Sequence, residues 1–222
     1  MMYSLDFTVV VDRMSELLWG AAGTVMLSVA GMALALVIGV LGVITRQSKS
    51  LLLSVPTRVF VEVIRNTPFL VQVFFLFFAL PYLGVRLNPT ITAIIALAIN
   101  GGAYAIEIIR GGVEAIPKGQ REAGYALGLS GAQTFRYIVL KPAVRAIYPA
   151  LAAQAILLTL TSSVCSSIAA FELTSVAGRI EAESFRSFEV YFTITFIYLL
   201  IAWTIMVLLK FLGKQFLDYP AR

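Results

Sequence analysis

Five stretches of this sequence carry no charged residue at all: Leu17–Thr45, Asn66–Val85, Leu87–Ile106, Ala146–Phe171 and Val190–Leu209. Each reaches or exceeds the roughly 20 residues that cross a ~30 Å hydrocarbon core as a helix. A closed barrel is the other solution in lipid, but its strands alternate polar and apolar residues over about 10 positions. Runs such as MALALVIGVLGVI do not alternate. The expected architecture is therefore an all-α integral membrane protein of five spans, at about 17–45, 58–81, 88–110, 146–168 and 189–211, forming a single domain over residues 1–222. Composition agrees: charged residues are 13% of the chain, against about 25% in ordinary soluble domains.

The start, MMYSLDF, lacks a basic region, and the first apolar run is too long for a cleaved signal. Phe7, Val10, Met14, Leu17 and Leu18 recur at helical spacing, which predicts an interfacial helix leading into span one. The net charge of +5 follows the excess of basic residues on the cytoplasmic side of membrane proteins and does not call for nucleic acid. One side of a five-span arrangement gathers twelve cations in residues 46–58, 110–145 and 210–222: Arg46, Lys49, Arg58, Arg110, Lys118, Arg121, Arg136, Lys141, Arg145, Lys210, Lys214 and Arg222. The other side gathers four: Arg13, Arg86, Arg179 and Arg186. This predicts an external N-terminus and a cytoplasmic C-terminus.

Several chemistries lack their residues. There is no histidine, and Cys165 is the only cysteine, so zinc sites and histidine acid/base catalysis are not expected. No G-x-x-x-x-G-K-[ST] phosphate loop is present, so ATP is not bound by that route. No compact catalytic cluster faces either interface, which disfavours a membrane enzyme.

The segment between spans three and four, residues 111–142, is polar and heavily punctuated. Pro117 and Gly119 precede the helix formers REAGYAL, and Gly128 is placed to stop that helix in a left-handed conformation. Ser130 and Gln133 form a capping box that starts a second helix through FRYIVL, and Pro142 is expected to break it. The pattern fits an amphipathic surface helix, or a stiff protrusion whose small residues (Ala123, Gly124, Ala126) beside Glu122 suit close docking of another protein.

Here the sequence resembles the permease subunits of bacterial ABC importers, whose cytoplasmic loop carries an E-A-A-x3-G-x9-I-x-L-P signature. Glu122, Ala123, Gly124, Gly128, Ile138 and Leu140 fall at the matching intervals. VEVIRNTPFLVQVFF (61–75), the stretch 103–137 and FELT (171–174) extend the likeness to the polar-amino-acid branch. The resemblance implies a non-enzymatic transport subunit in the bacterial inner membrane. Its implied partners are a second permease, a dimer of cytoplasmic ATP-binding subunits, an external solute-binding protein, a polar amino acid and membrane lipid. It implies no cofactor in this chain, with ATP and Mg on the partner ATPase. It also implies a coupling helix at 117–128 that enters a cleft on the ATPase, formed by Pro117, Lys118, Gly119, Gln120, Glu122, Ala123, Gly124 and Gly128.

Three features depart from the family pattern. Gly124 stands where alanine is usual, at a helix cost of about 1 kcal/mol. The family proline falls at Lys141, with Pro142 one residue late. Leu160, Thr161, Ser162 and Ser163 replace a common Lys-Asp-Thr-Ser run. That last change favours a heterodimer in which a different permease supplies the charged part of the substrate site.

Ionisable residues within spans are costly and usually face a partner or a cavity. Glu62 with Arg65, and Glu107 with Arg110, stand three apart and are expected to pair. Pro68 predicts local unwinding after Arg65, Asn66 and Thr67, with Gln72 expected on nearly the same face as Arg65. Asn100, Gln154, Thr161, Ser162 and Ser163 complete a candidate pathway from spans two, three and four, although such residues also serve simply to join helices. The FFLFF run at 74–78 is expected to pack or face lipid. The competing function is a self-sufficient channel or secondary transporter using Glu62, Arg65 and Glu107 as an ion or proton relay.

Overall fold

The computed structural model describes residues 4–217 and contains no strand among them. Four helical stretches are long and apolar enough to cross a membrane: Met14–Arg46, Pro89–Glu114, Gly131–Ile168 and Ser187–Leu217. A fifth candidate is a helix pair, Leu51–Arg65 and Phe69–Leu83, bent by 113°. Arg222, counted among the cations above, lies outside the described residues.

The helices, in chain order, are α1 (Thr8–Asp12), α2 (Met14–Arg46), α3 (Leu51–Arg65), α4 (Phe69–Phe74), α5 (Pro89–Glu114), α6 (Lys118–Ala126), α7 (Gly131–Thr134), α8 (Leu140–Thr161), α9 (Leu173–Ser184) and α10 (Ser187–Leu217). The pairing of α2 with α5 is the centre of the bundle, and it depends on small residues. A Cβ at Gly39 would lie 2.7 Å from that of Ala105, and one at Gly102 would lie 2.5 Å from Ile38 Cγ2. Lipid offers no hydrophobic drive to press helices together, so close backbone approach supplies the contact. By contrast, the buried residues of α10 are confined to Glu189, Val190 and Ile194. Its remaining length presents Phe196, Leu200, Trp203 and Leu208 outward, as suits a helix facing lipid or a neighbour.

The second span, expected at 58–81 with local unwinding at Pro68, is bent by 113° between Leu51–Arg65 and Phe69–Leu83. Thr67 precedes a proline and so is kept from the helical region. Pro68 itself is extended, with φ −62° and ψ 138°. Asn66 closes α3 by donating its side-chain Nδ2 to Glu62 O at 2.8 Å. The chain restarts as α4, passes through a wide π turn at Phe75–Ala79 and ends in a 3-10 turn at Leu80–Leu83. Phe75 and Phe78 of the aromatic run are exposed, while Phe77 packs against the core.

Pro142 does not break the helix before span four. Helical structure runs unbroken through Gly131–Ile168, and the strain is taken up earlier by a π turn at Phe135–Val139. A proline clashes with the carbonyl four residues back, here Ile138, and a widened turn at that point accommodates it. The fourth helix therefore starts some fifteen residues before the apolar run at 146.

Two further segments pack at the α9 end of the bundle. The lead-in forms α1, breaks at Arg13 and buries Val10 and Leu17 against Leu173, Val176, Ala177 and Ile180 of α9. It is thus packed into the protein and is not an independent interfacial helix. The segment 172–189 is mostly helical, and its first residue, Glu172, is fully buried. Glu172 caps α9 by accepting from the Thr174 and Ser175 backbone N–H groups at 2.8 and 2.5 Å, and accepts from the Tyr198 hydroxyl at 2.7 Å. Burial pushes its carboxyl pKa up, and those three donors pull it back down.

Candidate functional site

The break in the second span opens a cavity of about 380 Å³ between that break, α5 and α8. Thr67, Asn100, Tyr104, Gln154 and Thr161 supply its polar groups, and Phe69, Leu97 and Leu158 are among its apolar walls. No charged side chain lines it. Four of the candidate pathway residues named above thus converge, one or two from each of three separate helical segments.

Gln72 is not one of them. The 113° bend carries it away from the face of Arg65, and it is nearly buried behind the cavity. Its Nε2 lies within hydrogen-bonding distance of Ile64 O (2.8 Å), Thr67 O (3.1 Å) and Thr67 Oγ1 (2.9 Å). Its Oε1 accepts from Asn100 Nδ2 at 3.0 Å. Gln72 therefore braces the carbonyls that Pro68 leaves without helical donors. Ser162 and Ser163 are likewise turned to their own helix, donating to Thr159 O and Leu160 O at 2.7 Å each. Neither lines the cavity.

A second cavity of about 290 Å³ is strongly charged and is lined by Arg46, Glu62, Arg65, Asn66, Tyr104 and Glu107. Tyr104 lines both cavities and so forms the partition between them. The Arg65 guanidinium lies 5.3 Å from the Tyr104 ring centroid, a cation–π distance. The expected Glu62–Arg65 pair does not form. Arg65 instead approaches Glu107 at 3.9 Å, while Glu107 also pairs with Arg110 at 2.8 Å and with Arg46. Glu62 makes no ion pair among the described residues and stays exposed. Three guanidiniums, contributed by α2, α3 and α5, thus converge on one carboxylate at the end of the bundle nearest α6.

The polar segment folds as α6, a turn and α7. Gly128 is left-handed at φ 76°; its N–H reaches Tyr125 O at 2.9 Å, and that of Leu129 reaches Gly124 O at 3.1 Å. These bonds take up carbonyls at the helix end. Ser130 and Gln133 complete the capping box in both directions. Arg121 donates to Val113 O at 2.9 Å, tying α6 to the end of α5. Lys118, Gly119, Gln120, Glu122 and Ala123 face outward. Gly124 faces inward and is the one buried residue of α6. A Cβ there would lie 2.6 Å from Thr134 Cγ2 and 2.9 Å from Ile138 Cδ1. Its place is the joint between the two helices and not the outer surface. Tyr125 and Leu127, which the sequence reading passed over, are 59% and 77% exposed. The only signal for them was an apolar side chain in an otherwise polar helix.

Comparison with known proteins adds an independent line. Residues 38–217 match the family model described as the binding-protein-dependent transport system inner membrane component. The chain is 38% identical over 212 residues to the glutamine transport system permease protein GlnP of Escherichia coli (strain K12), covering 95% of this chain and 97% of the relative. It is 32% identical over 200 residues to the L-cystine transport system permease protein TcyB of Bacillus subtilis (strain 168), covering 90% and 86%. A crystal structure of an amino acid ABC transporter with histidines superposes with a TM-score of 0.90 at 30% identity, covering 96% of this chain and all of that one. A structure of the inward-facing MetNI methionine ABC transporter shares the fold, with a TM-score of 0.70 at 20% identity.

Proposed function

The chain belongs to the family of binding-protein-dependent transport system inner membrane components, and from that premise we propose that it forms the membrane pathway for a neutral polar amino acid. It is a multi-pass membrane protein and an amino-acid ABC importer permease. The observation that supports the substrate class is the uncharged polar cavity at the break of the second span. Asn100, Gln154, Thr67 and Thr161 offer amide and hydroxyl groups, which suit a zwitterion with an amide or hydroxyl side chain. The glutamine permease relative points the same way. A cationic or anionic side chain would enter that cavity without a counter-charge.

In this scheme the solute-binding protein delivers the amino acid at the α9 end, and the α6 end is cytoplasmic. Lys118, Gly119, Gln120, Glu122, Ala123, Tyr125 and Leu127 meet a cleft on the ATP-binding subunit. Pro117, Gly124 and Gly128 set the angle of α6, with Gly124 seated against Thr134. ATP and Mg act on the partner ATPase. Closure of the ATPase dimer moves the stiff helix, closed at its C-terminal end by the Gly128 turn, as one body, and the helix carries the motion into α5 and α8. A second permease, a different chain in the arrangement we favour, completes the pathway. Tyr104, with Arg65 stacked on it, separates the uncharged cavity from the charged one and is placed to act as the inner gate.

Uptake competition in vesicles holding the whole complex tests the substrate class. Glutamine or asparagine should displace the transported solute far better than arginine or glutamate. Preferential displacement by a charged amino acid would remove the assignment.

A further inference from the structure

A groove of about 490 Å³ that combines apolar walls with charge lies outside the pathway, between α8 and α10. On α8 its wall runs through Arg145, Tyr148, Ala152 and Ile156; on α10 it runs through Met206, Lys210, Gly213 and Lys214 to Leu217. Each set follows the three-and-four spacing of one helical face. Each also spans twelve residues, eleven steps of about 1.5 Å or ~16 Å, which is about half the ~30 Å hydrocarbon core. The groove therefore has the depth of one leaflet.

Its two ends differ. Ala152, Ile156 and Met206 line the deep end, with no polar side chain. Arg145, Lys210 and Lys214 line the end near the helix termini. Lys210 and Lys214 are exposed, stand one turn apart and form no hydrogen bond or ion pair among the described residues. Between the ends, the Tyr148 hydroxyl donates to Leu209 O at 2.6 Å and fixes the helix spacing. Gly213 leaves room for that ring, since a Cβ there would lie 2.7 Å from Tyr148 Cε1.

We propose that this groove is a binding site for one anionic phospholipid, phosphatidylglycerol in kind, with an acyl chain between α8 and α10 and the phosphate on Lys210 and Lys214. Basic pockets between spans at a membrane surface hold such headgroups. The charge pattern also selects against a second copy of the same face. A twofold axis passing through the mouth of the groove would set Lys210 and Lys214 of one chain against the same residues of the other. The inference requires only that α8 and α10 span a bilayer and is independent of the transported solute.

The test is native mass spectrometry of the whole complex, released from nanodiscs of phosphatidylcholine doped with phosphatidylglycerol. The wild type should retain phosphatidylglycerol about tenfold over its share of the bilayer. The double variant Lys210→Gln/Lys214→Gln should lose that preference, as should a change at Ala153, which also lines the groove on α8: Ala153→Leu fills it without touching the charges. Lys49→Gln/Arg58→Gln, altering exposed cations elsewhere on the α6 end, should retain it. Equal retention of the two lipids by the wild type would overturn the proposal. So would unchanged preference in both groove variants, or disulfide crosslinking of Ala153→Cys between two copies of this chain in the assembled complex.

Discussion

Asn100 Nδ2 donates to Gln72 Oε1 at 3.0 Å, joining the centre of α5 to the restarted half of the second span. The same Gln72 amide reaches back to Ile64 O and Thr67 O. One side chain therefore supports both sides of the break that opens the uncharged cavity, while Asn100 also lines that cavity.

Gln72→Leu should separate structure from transport. It is close in size but takes the amide donor away from the part-buried carbonyls of Ile64 and Thr67, at about 0.5–1.5 kcal/mol per hydrogen bond. We expect a clearly lowered thermal midpoint of the purified complex together with reduced uptake. Asn100→Ala should reduce uptake at least as much with a smaller loss of midpoint, because Gln72 keeps its backbone partners. Unfolding curves and uptake assays on the same preparations make the comparison.

Gly124→Ala is the substitution that a helix-propensity scale would call stabilising, by about 1 kcal/mol. The joint with Thr134 and Ile138 reverses that sign. The buried Thr134 Oγ1 has no hydrogen-bond partner, so Thr134→Ala removes both the blocking methyl and an unsatisfied hydroxyl. Gly124→Ala alone should weaken copurification of the ATP-binding subunit, and Gly124→Ala/Thr134→Ala should restore it.

Arg65→Ala should impair uptake by about tenfold, the equivalent of ~1.4 kcal/mol, while leaving the ATP-binding subunit attached. Arg65→Lys keeps the charge near Glu107 but loses the planar stack on Tyr104, so an intermediate rate is expected. Single-turnover uptake with matched amounts of complex gives the ratio.

Glu172 carries a pH dependence whose sign is opposite to that of most carboxylates. Its folded pKa is raised above the ordinary value of 4.5 by burial. The native state then holds the proton more tightly than the unfolded chain. The stabilising contribution is present below pH 4.5 and is lost as pH rises through the raised folded value. Glu172→Gln keeps an acceptor for the α9 cap and has no such titration. Denaturation midpoints compared from pH 4.5 upward should show the wild type losing stability relative to Glu172→Gln.

Much of this arrangement can be read from residues taken singly or in short runs. Charge-free lengths locate the membrane helices, the Thr67–Pro68 pair marks the break, and Gly128 with Ser130 and Gln133 marks the turn beyond α6. Those signals are local, so no tertiary partner is needed to interpret them. Choices between partners are not local. Glu62 and Glu107 stand equally three residues from an arginine, yet only Glu107 lies where α2, α3 and α5 bring Arg46, Arg65 and Arg110 together. Gly124 could equally have faced outward. Only the position of Thr134, ten residues on, shows that it is a joint. Tyr104 gave no signal at all, because a tyrosine in a span is unremarkable until two cavities are found on either side of it.

Reconstitution measures the coupling of transport to a separate ATPase. Purified permease, its partner permease, the ATP-binding subunit and the solute-binding protein are placed in vesicles, and radiolabelled glutamine uptake is followed with and without internal ATP. Uptake should require ATP and every component, and should be abolished in vesicles holding this chain alone. Glutamine accumulation by this chain alone, driven only by a proton or sodium gradient, would contradict it.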